Sequence, residues 1–78
     1  MDVFATVQDV VARTLGVPAG DVTLAASKEQ IPQWDSFRHL EVVMEIEAAF
    51  GMSFTMEEMT LMNSVPEIVE VVSRRLAE

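Results

Sequence analysis

Asp35, Ser36 and His39 are the residues of this 78-residue chain whose types and spacing first suggest chemistry. A Ser and a His three positions apart occupy neighbouring places on one helix turn, and the adjacent carboxylate completes the set that a hydrolase would use. The context argues against that use. A nucleophile needs an oxyanion hole and a pocket that excludes water, and so short a helical chain leaves little room for either. A second chemistry fits the same serine. The first N–H groups of a helix lack internal partners, and the positive end of the helix dipole lies there. A phosphate ester on Ser36 would sit in a favourable field if a helix begins at that point. The plain alternative is that Ser36 caps the helix and does nothing else.

The elements that must position Ser36 follow from hydrophobic period and caps. Val3, Val7, Val10, Val11 and Leu15 recur at spacings of three and four, which predicts a helix over Asp2–Leu15 with Asp2 as N-cap and Gly16-Val17-Pro18 as its stop. Residues 16–34 have no sustained period and form a long loop, or one that hides a short helical turn. Val22, Leu24, Ile31 and Trp34 are expected to pin this loop to the core. A second helix is predicted over Ser36–Phe50, capped by Asp35 and ended by Gly51. Phe37, Leu40, Val43, Met44, Ile46 and their neighbours make it apolar over more than half its circumference, which marks it as the central helix. Thr55-Met56-Glu57-Glu58 and Ser64-Val65-Pro66-Glu67 both fit capping boxes. They open a short third helix reaching about Met62 and a fourth with Val65, Val69, Val72 and Leu76 on one stripe. The expected architecture is an all-α four-helix bundle with a long first loop and a short third helix, as one domain over residues 1–78.

Composition narrows the partners. Thirteen acidic residues against five basic ones give a net charge of −8. Phosphate backbones want a basic surface, so nucleic acid is excluded as a partner and basic protein surfaces are favoured. There is no cysteine and one histidine, so disulfides, a protein thiol and four-ligand structural zinc sites are excluded. No calcium-loop motif is present, and no metal is expected. No apolar run nears the roughly 18 residues of a membrane span, and Met1-Asp2-Val3-Phe4 lacks the basic region of a signal peptide. The expectation is a cytoplasmic monomer that binds no membrane.

The run from Trp34 to Gly51, Trp-Asp-Ser-Phe-Arg-His-Leu-Glu-Val-Val-Met-Glu-Ile-Glu-Ala-Ala-Phe-Gly, resembles the signature of acyl carrier proteins. Leu15-Gly16-Val17-Pro18 with Asp21-Val22-Thr23, and Ser64-Val65 with Ile68-Val69, extend the resemblance over nearly the whole chain. It implies a carrier, not an enzyme, whose Ser36 receives 4′-phosphopantetheine from coenzyme A through a phosphopantetheinyl transferase. It further implies that acyl- or aminoacyl-loading and transferring enzymes dock through basic patches. Two departures stand out: Phe37 replaces the usual leucine, and Arg38-His39 stand where acidic residues are frequent. The Trp-Asp-Ser-x-x-His-Leu pattern is similar to stand-alone carriers of secondary metabolism or polysaccharide modification. The absence of cysteine agrees with this reading, since a carrier without its own thiol needs one from a prosthetic group.

Residues 35–61 hold six acidic residues and one basic one, a net of −5, while the other 51 residues carry −3. That concentration beside Ser36 points to Asp35, Glu41, Glu47 and Glu57 as partner-binding residues, and the resemblance implies that Phe37, next to the serine, and Met44, on the same side of the helix, join them. Met44, Met52, Met56, Met59 and Met62 cluster in the same region, as soft lining for an acyl chain or as ordinary core filling. The rival to a carrier is an unmodified acidic helical interaction module that lies in a partner's groove.

Overall fold

Side chains at the ends of each helix explain where it begins and stops. A computed structural model describes residues 2–78 and contains α1 (Val3–Leu15), α2 (Ser36–Phe50), α3 (Met56–Leu61) and α4 (Val65–Ala77), with a 3-10 turn at Ala19–Asp21. Asp2 accepts a hydrogen bond from the Ala5 N–H at 3.1 Å and opens α1. α1 and α2 end alike. Gly16 and Gly51 take left-handed backbone conformations, with φ of 70° and 64°. Their N–H groups and those of Val17 and Met52 turn back onto the Ala12 and Glu47 carbonyls. Glycine adopts this conformation without a Cβ penalty.

The Thr55–Glu58 capping box is complete: Glu58 N–H meets the Thr55 hydroxyl and the Glu58 carboxylate meets the Thr55 N–H. The Ser64–Glu67 box differs from expectation. Glu67 N–H reaches the Ser64 hydroxyl, but the Glu67 carboxylate accepts from that same hydroxyl at 2.9 Å. The backbone around Ser64 runs beside the first loop instead, with Val65 N–H donating to the Ala26 carbonyl at 2.9 Å.

The described residues form an all-α four-helix bundle with the long first connection and short third helix expected, and without strands. α1 is its hub, not α2. Val7, Val10, Val11, Ala12 and Leu15 of α1 are buried, and α1 packs against both α2 and α4. α2 buries only Val42, Val43 and Ile46. On α4 the inward stripe is Val65, Ile68 and Val72 with Val71 beside it, whereas Val69 is half-buried and Leu76 exposed. Both sets have three-and-four spacing, so period alone did not choose between them.

The first loop is pinned by Val22, Ala26, Ile31 and Trp34, all buried, whereas Leu24 projects into solvent. Gln8 of α1 fastens the loop further. Its amide donates to the Ala19 and Val22 carbonyls at 3.0 and 2.9 Å, which satisfies loop backbone that no ladder serves.

Candidate functional site

The site is built at the junction of the first loop and α2. Asp35 is the N-cap of α2, and its carboxylate accepts from the Arg38 N–H at 2.8 Å. Ser36 is therefore the first helical residue and has no capping duty. Its side chain is exposed, and no hydrogen bond among the described residues engages its hydroxyl. Of the first N–H groups of α2, Asp35 takes that of Arg38, so those nearer the serine stay open to an anion.

Two neighbours brace this end of α2. The Arg38 guanidinium donates to the Thr14 carbonyl in the last turn of α1 at 3.0 Å and lies 3.8 Å from Glu41. Trp34, only 2% exposed, donates its indole N–H to His39 Nδ1 at 3.1 Å. The two rings stand 6.2 Å apart at a 32° tilt. Burial, with the charge of Lys28, holds the His39 imidazole below its ordinary pKa, against the pull of the Met59 carbonyl. With Nδ1 accepting the indole N–H, the matching tautomer of the ring carries its proton on Nε2. A Ser-His-Asp triad is not assembled: Asp35 serves the Arg38 N–H and His39 serves Trp34.

Away from Ser36 runs an apolar stripe that faces solvent. Phe37, Leu40 and Met44 are 72%, 61% and 65% exposed, and Met56 and Leu61 of α3 are exposed as well. Leu40 belongs to the apolar circumference that predicts a central helix, yet it faces away from the core. At 100° per residue, positions 37, 40 and 44 lie nearly opposite 42, 43 and 46, and the latter set turns inward. The helix is apolar on two faces, of which one is buried. Among the clustered methionines, Met62 is buried, Met52 and Met59 are half-buried, and Met44 and Met56 are exposed.

The acidic residues divide in the same way. Glu41 and Glu57 are exposed beside the stripe. Glu47 is half-buried, and its carboxylate accepts from the Phe54 N–H at 2.8 Å, holding the turn between α2 and α3. Arg75 of α4 closes that turn from the other side. It donates to the Ser53 carbonyl and to Glu58, each at 2.8 Å, and sits 6.0 Å from the centre of the Phe54 ring. Sequence reading missed the Glu47, Arg75 and Trp34–His39 links. The first two join residues brought together only by the turn or by packing. The third carried a faint signal: a tryptophan in an otherwise polar run, five residues before the only histidine.

No protein-family profile matches the chain. Over 71 residues it is 35% identical to a protein named acyl carrier protein from Rubrobacter xylanophilus, an overlap of 91% of this chain and 88% of that relative. With the helical fold and the Asp35-Ser36 helix start already described, this settles the class: the chain belongs to the acyl carrier protein family. It is a carrier and not an enzyme. No helix among the described residues is long and apolar enough to cross a membrane.

Proposed function

We propose that this chain, acting as a single carrier domain, holds an acyl group as a thioester on a 4′-phosphopantetheine arm esterified to Ser36 and passes it between biosynthetic enzymes. The observation that carries this reading is the division of labour at the start of α2. Asp35 does the capping that a serine in this position often does, which leaves the Ser36 hydroxyl exposed at the positive end of a 15-residue helix. The site fits the group: an accessible hydroxyl for the ester, open N–H groups for the phosphate, and no competing hydrogen bond. The arm supplies the thiol that the chain lacks. The printed name of the relative favours an acyl over an aminoacyl cargo.

Partner recognition follows from the same surface. Phe37, Leu40 and Met44 offer an apolar strip next to Ser36, rimmed by Glu41 and Glu57. A partner with an apolar centre and a basic rim is complementary to it. A phosphopantetheinyl transferase must reach Ser36 first, and loading and transferring enzymes later. Asp35, Phe37, Glu41, Met44 and Glu57 form the docking set. Glu47 contributes by holding the α2–α3 turn.

Intact-mass analysis after incubation with coenzyme A and a transferase tests the proposal. One phosphopantetheinyl group should be added to the wild-type chain and none to Ser36→Ala. No addition under conditions that modify a control carrier would defeat the carrier reading.

A further inference from the structure

We propose that Trp34 and His39 form a proton-operated clasp around Ser36: the neutral imidazole holds the serine-bearing helix start against the first loop, and protonation of Nδ1 opens it. The pair brackets the serine, with Trp34 two residues before it and His39 three residues after. The consequence for Ser36 rests on the carrier reading above; the clasp itself does not.

An indole N–H can only donate. Trp34 is 2% exposed, so its donor needs an acceptor inside the protein, and His39 Nδ1 provides it at 3.1 Å. Imidazolium carries N–H groups on both nitrogens and has no acceptor left. A proton added to Nδ1 therefore sets two donors against each other at a part-buried hydrogen bond, and the buried indole N–H finds another acceptor only if the rings part.

The surroundings offer the cation little compensation. From the first loop, Lys28 adds a like charge, and burial disfavours any charge on the ring. From α3, the Met59 carbonyl is the one group that favours protonation, while Glu58 is engaged by the Thr55 N–H and by Arg75 of α4. On α2 itself, Asp35 is committed to the Arg38 N–H, and Arg38 to Thr14 and Glu41. None of the groups acting on His39 is a carboxylate. The folded-state pKa is therefore lowered. The clasp is fully closed above the ordinary histidine value near 6.5 and opens as pH falls below it.

The chain has one tryptophan and one histidine, so each reports without ambiguity. The indole N–H and imidazole resonances should be followed by NMR from about pH 8 to 4.5 in the wild type and in His39→Gln, whose amide oxygen accepts but does not titrate. In the wild type both resonances should move with one shared midpoint below about 6.5, and the indole of His39→Gln should stay still. An indole that does not move, one whose midpoint differs from that of His39, or one that moves equally in the variant overturns the clasp. The first two outcomes need only the wild-type chain.

Ser36 modification rates, taken as a wild-type to His39→Gln ratio so that the transferase's own pH dependence cancels, test the consequence. The ratio should fall by up to about tenfold one pH unit below the midpoint, where about nine-tenths of the rings are protonated. A flat ratio beside a titrating indole overturns control of Ser36. Failure of both chains to take up the group at any pH overturns the carrier reading, while the NMR titration still decides the clasp.

Discussion

Leu40→Ala and Ile46→Ala lie on the same helix and should have very different effects on stability. Ile46 is fully buried, and truncating a buried isoleucine to alanine costs about 2–5 kcal/mol, because transfer free energy is lost and a cavity remains. A 78-residue chain has roughly 4–12 kcal/mol to lose. Leu40 is 61% exposed, so only about two-fifths of the 1.5–3 kcal/mol from full burial is at stake. Alanine's better helix propensity offsets part of that, and the expected cost is under about 1 kcal/mol. For a chain this size each kcal/mol moves the melting temperature by roughly 4–8 °C. Thermal melts and urea titrations followed by circular dichroism should therefore show a small shift for Leu40→Ala and a drop on the order of ten degrees or more for Ile46→Ala. If Ile46→Ala does not fold, Ile46→Val should still cost about 0.5–1.5 kcal/mol. Equal costs for Leu40→Ala and Ile46→Ala would mean that α2 buries its other face, and the docking strip beside Ser36 would not exist.

Charge reversal at Glu41 or Glu57 should slow Ser36 modification more than reversal at Glu70 or Glu78, and added salt should shrink the difference; equal effects at all four sites would rule out localised recognition. Arg75→Met removes donors from Ser53 and Glu58 and should destabilise the chain by roughly 1–2 kcal/mol in a urea melt. The Thr55 N–H, aided by Arg75, holds the Glu58 carboxyl below its ordinary value. The resulting stabilisation is present above the unfolded carboxyl pKa near 4.5 and lost as pH falls below it, so acid should narrow the gap between Arg75→Met and wild type. With a net charge of −8, the chain repels itself, and its melting temperature should rise with moderate salt; a flat or falling series would show that its cations already compensate the carboxylates.

Much of the fold was legible because caps and stops are local chemistry. Asp2, Asp35 and Thr55 announce helix starts, Gly16 and Gly51 announce ends, and each does in the structure what its type allows. The acidic bias of residues 35–61 could also be read directly. So could the Asp-Ser pair at the head of α2, because it depends on a helix boundary and not on distant contacts.

Which apolar face is buried was not legible. α2 carries two apolar faces, and period reports both; only the position of α1 decides that Val42, Val43 and Ile46 turn inward while Phe37, Leu40 and Met44 remain outside. The same ambiguity displaced the expected stripe of α4. Long-range polar links were hidden for a related reason. Glu47 reads as one more surface acid until the α2–α3 turn brings the Phe54 N–H to it. Trp34 reads as core filling until its indole meets His39. Sequence alone determines most helix starts, because Asp2, Asp35 and Thr55 each cap an N–H only three residues away. Which of two equivalent faces leaves water, and which side chain meets a distant donor, depends on the whole packed arrangement, and only the tertiary structure decides it.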